Sequence, residues 1–368
     1  MILVYIGLFL IFLVQFSENQ THKNVDFSII DKNKKKYFYT CVAVAMFFFL
    51  ISAFKEIGFN NGTGDLINYN NRYGWLVSQS YSGLIELYVA QELKDIGFYL
   101  VAKVFVDLGI PVSIWMGAIA FLFAASVGAL LYKYSDNPTL SALIVLALYF
   151  SFTITGLRQT VALSLVLIAY PLMVEKKLTK FIGLVVLAGF FHSSAWIFLP
   201  AYWIAKIRGN KKQFLIILIS LLIAVFAPGI VRTLVANFAW TESMSRYAET
   251  TVSLSWAGYI IQIFIYIFCI FFRGQLSKQA RDQYEYINPL LACMTIGICI
   301  QGFSGVIAEA FRASYYYSIG CIVVVPAVIS GNRLWSNRRV MILIVAGSLL
   351  GYMFWSGAYK DLLYFWQV

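Results

Sequence analysis

Apolar runs recur from one end of this sequence to the other, near 1–16, 37–57, 112–132, 138–155, 157–174, 180–191, 194–206, 213–228, 254–272, 288–307, 313–330 and 340–358. A chain with this many runs needs either a very large dry interior or lipid as its solvent. Charge decides between the two. Only 12% of the 368 residues are charged, against 61% hydrophobic, whereas a soluble domain is roughly a quarter charged. So few charges cannot cover a water-facing surface, and lipid must solvate much of this one. The chain reads as all-α, a polytopic integral membrane protein with about 12 transmembrane helices in a single transmembrane domain, 1–368. No stretch between runs exceeds about 55 residues, which leaves no room for a soluble domain. Several runs fall short of the roughly 20 residues of a perpendicular span. Helices broken at Gly or Pro, and helical hairpins, account for them where protein covers the broken ends. The first run has no basic leader and is followed by Ser17-Glu18-Asn19-Gln20 instead of a small-residue cleavage site. It is therefore expected to be retained as a span.

The net charge of +11 would suggest nucleic acid in a soluble protein. In a membrane protein Lys and Arg mark the cytoplasmic connections, so nucleic acid is not an expected partner. The five cysteines, Cys41, Cys269, Cys293, Cys299 and Cys321, all lie in apolar runs and read as small buried hydrophobes. Their spacing fits no metal site, and only two histidines are present. Neither a metal nor a cofactor is expected. The glycine-rich GTGD at 62–65 has no strand before it and no Lys-Ser/Thr ending, which argues against a nucleotide loop.

The segment 96–110 carries Lys103 and Asp107. Charges inside lipid are costly, so it reads as an amphipathic helix at the interface. Without it, alternating spans from an outside N-terminus place the connections 17–36, 133–137, 175–180, 206–212, 273–287 and 331–339 inside. These hold 19 of the 28 Lys and Arg and 7 acidic residues, leaving 9 basic and 10 acidic elsewhere. That asymmetry is what the positive-inside rule requires. Counting 96–110 as a span would separate EKKLTK from KIRGNKK. Both termini are therefore expected outside.

This topology gathers polar sequence on the outer side. The loop and interfacial helix 58–110 hold Asp65, Tyr69, Arg72, Tyr73 and Lys94-Asp95. A turn holds Arg158 and Gln159, and another holds His192, Ser193 and Ser194. The outer loop 229–253 holds Arg232, Glu242, Arg246, Tyr247 and Glu249, and the turn AEAFRASYYY holds Glu309, Arg312 and three tyrosines. Each has a plain structural reading. Arg158 and Gln159 can anchor a helix start, His192 can hydrogen-bond a freed backbone group, the serines can cap helices, Glu309 and Arg312 can pair three apart, and the tyrosines can form an interfacial belt. Together they exceed those readings. Four arginines, Arg72, Arg158, Arg246 and Arg312, share the face where positive charge is disfavoured, and several carboxylates share it with them. An Arg fork suits phosphate, and a carboxylate can serve as a general base.

In order along the chain come GTGDLINYNNRY at 62–73, Asp95-Ile96-Gly97-Phe98, GLRQTVALSLVLIA at 156–169, FHSSAWIFLPAY at 191–202 and Arg246-Tyr247. This series resembles the EpsG-type branch of the O-antigen polymerases (Wzy proteins) of bacterial polysaccharide assembly. The likeness runs from about 60 to 300, and Asp95 stands where the family often has Glu. The resemblance implies a fold similar to the C-type glycosyltransferases. It also implies a membrane glycosyltransferase at the outer face of the bacterial cytoplasmic (inner) membrane. Such an enzyme moves a growing glycan from undecaprenyl pyrophosphate onto a new lipid-linked repeat unit, making O-antigen, capsule or exopolysaccharide. Its expected partners are the undecaprenyl-pyrophosphate-linked oligosaccharide, membrane lipid and a chain-length regulator protein.

On that reading Asp65 is the first candidate for the base, with Asp95 second and Glu309 third. Arg72, Arg158, Arg246 and Arg312 would hold the pyrophosphate. His192, Gln159, Tyr69 and Tyr247 would add hydrogen bonds to phosphate or sugar. Three rivals stay open. A lipid-linked oligosaccharide flippase should carry polar residues at the bilayer middle, whereas here they sit at one end. A polymer ligase shares nearly all the chemistry. A membrane O-acyltransferase would use His192 with an acyl donor.

Overall fold

The computed structural model describes residues 2–23, 37–55, 64–237, 256–307, 309–332 and 335–356. Within them every regular element is a helix. In chain order these are α1 (Ile2–Lys23), α2 (Phe38–Ala53), α3 (Gly64–Trp75), α4 (Tyr81–Val89), α5 (Ile96–Asp107), α6 (Val112–Tyr134), α7 (Pro138–Thr153), α8 (Leu157–Val174) and α9 (Leu178–Phe191). There follow α10 (Ala201–Ile204), α11 (Asn210–Phe226), α12 (Pro228–Asn237), α13 (Trp256–Gly274), α14 (Lys278–Gln283), α15 (Ile287–Gly302), α16 (Ala310–Ser318), α17 (Cys321–Ser330) and α18 (Trp335–Ser356).

Four stretches are both long and apolar enough to cross a membrane: Val112–Tyr134, Leu157–Val174, Ile287–Gly305 and Arg338–Ser356. The pair α16–α17, bent by 41°, makes a fifth, and five more apolar helices are 10–17 residues long. Long apolar helices among the described residues thus fall short of the twelve spans counted on the sequence. Some runs are broken, and others form single helices of only 10–17 residues. α7 changes to π-helix over Leu146–Phe150 before ending at Thr153. The run 194–206 is not an α-helical span. It is a 3₁₀ stretch, Ser193–Phe198, followed by the four residues of α10. Even so, Tyr202 near its end donates to the Lys176 carbonyl at 2.8 Å, so the segment returns to the end from which α9 started.

Breaks inside an apolar bundle leave carbonyls that need partners. At the α16–α17 bend, the Tyr170 hydroxyl donates to the Tyr316 carbonyl at 2.7 Å, and just beyond it Ser141 Oγ donates at 2.6 Å to the Ile322 carbonyl, which Pro326 leaves without a helical partner. Gly297 permits the bend to lie close to α15, because a Cβ there would meet the Ser318 nitrogen at 3.0 Å. Around the bend, Tyr170, Tyr316, Tyr317, Phe150 and Phe198 are fully buried.

The two ends of the bundle differ in chemistry. At one end the basic connections come together. Gln15 donates to Asn137 at 3.1 Å, and the Tyr286 hydroxyl donates to the Tyr134 carbonyl at 2.7 Å. Lys133 and Lys177 both bridge to Glu175, Arg273 feels the charges of Arg208 and Arg281, and Asn332 donates to Gln275 at 3.2 Å. Glu18 from α1 accepts the Tyr39 and Thr40 amides and so caps α2. At the other end α3 and α4 pack on α5, and α5 packs on α9. α5 has 12 residues, about 18 Å of helix, too short to cross roughly 30 Å of hydrocarbon. Its two charges are paired with each other, Lys103 with Asp107 four residues on, and Lys103 also lies 5.9 Å from the Tyr81 ring.

Candidate active site

The Asp-Ile-Gly-Phe stretch at 95–98 explains how the site is assembled. Asp95 precedes α5 in the left-handed region, φ 57° and ψ 51°. Asp is one of the few residues that tolerates this conformation. Two residues on, Gly97 faces the end of α9, where a Cβ would stand 2.9 Å from the Phe190 carbonyl oxygen. The missing side chain lets α5 approach α9 closely enough for Asp95 to reach the residues that follow Phe191. The Asp95 carboxylate is not used to cap its own helix. One oxygen accepts the Ser193 amide at 2.9 Å. The other accepts from Arg158 Nη1 at 2.8 Å and lies 3.0 Å from His192 Nδ1.

The Asp95 side chain is only 2% exposed. Burial by itself pushes its carboxyl up. The hydrogen bond and charge of His192, the Arg158 guanidinium and the Ser193 amide outweigh burial and hold it below the usual carboxylate range. An ionised carboxylate only accepts, so His192 Nδ1 is the donor. In the neutral ring this leaves a lone pair on Nε2. Three parts of the sequence read separately, Asp95, Arg158 and His192, are therefore one cluster.

The cluster forms part of the wall of a cavity of about 790 Å³. α3 contributes Asp65, Asn68, Tyr69, Asn71, Arg72 and Trp75. α8 contributes Arg158 and Gln159, α16 contributes Arg312, and His192 closes the corner. The Arg312 guanidinium lies 5.1 Å from the Phe152 ring and 5.4 Å from Phe311, and it pairs with Glu309 at 2.8 Å. Arg72 lies 5.6 Å from the Trp75 ring. The Nε atoms of Arg158 and Arg312 are buried without a hydrogen-bond partner. Gln159 is buried, and its amide donates to the Arg312 carbonyl at 2.8 Å, tying α8 to α16.

Of the residues singled out on the sequence, Asp65, Tyr69, Arg72, Arg158, Gln159, His192 and Arg312 line this cavity. Asp95 stands behind it, and Glu309 reaches it only through Arg312. Arg246 and Tyr247, with most of the loop 229–253, lie outside the described residues. Tyr99, Glu92, Trp75 and Phe152 also line the cavity and were not expected. Tyr99 sits in the interfacial segment 96–110, Phe152 in an apolar run and Glu92 close to a Lys-Asp pair, so the pattern gave no sign of them. Trp75 alone had a signal, since it closes the polar, aromatic stretch that begins at Asp65.

A model of the EpsG family matches residues 38–366. The chain belongs to the EpsG family. The match extends past residue 300, where the likeness read from the motifs ended, and so takes in Arg312 and the helices behind it. No curated protein and no solved structure matches the chain. All the cavity residues of this EpsG-family protein fall within the matched region. Three arginines facing an open space suit a group with several anionic oxygens, since each fork can donate two parallel hydrogen bonds. Among the described residues, no three His, Cys, Asp or Glu side chains converge as a metal site would need.

Proposed function

We propose that this protein is a polysaccharide polymerase that lengthens a glycan carried on undecaprenyl pyrophosphate, with its cavity at the outer face of the bacterial cytoplasmic membrane. One observation carries the reading: Arg72, Arg158 and Arg312 converge on a single cavity that also holds His192 and Asp65. The family supports a role in polysaccharide biosynthesis. The basic connections collect at the far end, which under the positive-inside rule supports an outward-facing cavity with both termini outside.

In the proposed reaction the acceptor sugar hydroxyl attacks the anomeric carbon of the growing chain. The new glycosidic bond forms as the bond from that carbon to the lipid pyrophosphate breaks. The pyrophosphate leaves with the electron pair, and Arg158, Arg312 and Arg72 stabilise the charge that develops on it. The hydroxyl proton needs an acceptor. Asp95 has both oxygens committed, so we assign it to positioning. His192 presents a lone pair from a ring fixed by Asp95, and it takes the proton. Asp65, exposed in the first turn of α3, holds hydroxyls of the acceptor sugar. Gln159 fixes Arg312 through its carbonyl. A positioned base contributes about 10²–10⁴ in rate.

The test is purified protein with a synthetic lipid-linked repeat unit. Chain growth is the expected result. Transbilayer movement without new bonds would make the protein a flippase, transfer of finished glycan to a different acceptor would make it a ligase, and acyl incorporation would make it an acyltransferase. Each of those outcomes overturns the proposal.

A further inference from the structure

A second cavity, of about 230 Å³, lies between α13 and α18, with α7 and α17 behind it. Ile260, Phe264 and Phe268 form one wall and Val345 and Leu349 the other. Among the described residues, Ser348 and Tyr352 are its only polar lining side chains, and none that lines it is charged. Ile260 and Phe264 are well exposed, and the most apolar stretch of α18 is largely uncovered by protein. The cleft is therefore open sideways, towards lipid. From Ile260 to Phe268 it follows eight residues of helix, about 12 Å of bilayer depth.

This cleft adjoins the arginine cavity. Leu148, on its wall, is one turn of α7 before Phe152, which lines the arginine cavity under the Arg312 guanidinium. Tyr352, at the other side of the cleft, is within electrostatic reach of Tyr315. The Tyr315 ring stands 5.7 Å from Phe152 and 5.2 Å from Tyr149. Tyr352, Tyr315 and Phe152 thus link an apolar cleft open to lipid with a cavity lined with arginines.

We infer that the cleft holds the first isoprenoid units of the polyisoprenyl diphosphate whose diphosphate lies on Arg312 and Arg158. The inference rests on the proposed function. Continuity selects this occupant, because the diphosphate end and the hydrocarbon end of one molecule need adjoining sites of these two kinds. Moving hydrocarbon from lipid tails into the cleft has no hydrophobic driving force, since both surroundings are apolar. The gain is orientation. A tail held beside Phe152 delivers the diphosphate to Arg312 in one direction, and correct placement is worth far more than affinity to a transfer step.

Full-length protein in phosphatidylethanolamine–phosphatidylglycerol vesicles is photolysed with a 55-carbon polyprenyl diphosphate bearing a diazirine on its second isoprene unit, and the labelled peptides are mapped. Label concentrated on 260–268 and 344–352, and reduced at least fivefold there by Val345→Trp, is the expected result. Label spread evenly over lipid-facing helices such as Asn210–Phe226 overturns the inference. So does undiminished cleft label in the variant. So does equal cleft labelling by a diazirine phospholipid that unlabelled polyprenyl diphosphate fails to displace. None of these readouts requires chain growth. A protein that fails to polymerise but labels in the cleft therefore sinks the proposed reaction and leaves the lipid site standing.

Discussion

Both ends of the bundle hold a carboxylate between two nitrogen donors, and they use it differently. At the basic end Glu175 sits between Lys133 and Lys177, its side chain 30% exposed. At the cavity end Asp95 sits between Arg158 and His192, 2% exposed, with a backbone amide on its second oxygen. The Glu175 partners are flexible ammonium groups in reach of water, so the pairs contribute about 0–1 kcal/mol each and weaken with salt. The Asp95 partners are planar groups, one at the start of α8 and one just past the end of α9. One buried carboxylate fixes the direction of both, and removing it leaves a half-buried guanidinium without its counter-ion. The same arrangement of donors is a surface tether at one end and a positioning device behind the cavity wall at the other.

The sharpest way to break this comparison is at the cavity. Arg158→Ala should lower chain growth by at least about 10²-fold while the protein stays in the membrane, and Glu175→Gln should leave chain growth unchanged. A lipid-linked substrate assay on both variants checks this. If they behave alike, the contrast between the ends is empty. Asp95→Asn keeps the shape of the wall but removes the charge that fixes the His192 ring. Chain growth should fall about 10²–10⁴-fold, mainly in kcat. Nitrogen-15 spectra of histidine-labelled protein, which has only two histidines, should show His192 losing its Nδ1-protonated form. Gly97→Ala forces α5 away from the Phe190 carbonyl. It should lower chain growth about tenfold by displacing Asp95 and should leave the Glu175 end untouched.

The smallest effect is in acid. Hydrogen bonds from Lys133 and Lys177 hold Glu175 down to about 2, against an ordinary 4.5. A carboxyl lowered by folding adds stability above its unfolded value and loses it as pH falls. The Glu175 contribution is therefore complete above about pH 4.5 and lost on the way to about 2. Thermal unfolding of wild type and Glu175→Gln should differ slightly at pH 7 and converge across that window. High salt should erase the difference at pH 7.

The sequence carried the solvent, the all-helical class and the separation of the two ends, because each follows from quantities that add along a chain. Apolar length and charge asymmetry do not depend on which helix packs on which. Among the described residues, connections grouped by charge do meet at one end. The family, too, was legible in local motifs. The number of long spans was not. Where an apolar run stops being helix depends on partners such as Tyr170 and Ser141, which satisfy a bend from other helices. Neither was the difference in burial between Asp65 and Asp95. Both are acids in polar connecting sequence, and only the approach of α5 to α9 at Gly97 buries one and leaves the other exposed. Composition determined that polar groups would collect at one face of a membrane protein. Which of them share a carboxylate was decided by tertiary packing, because a hydrogen bond depends on distances of a few tenths of an ångström between residues dozens apart in the chain.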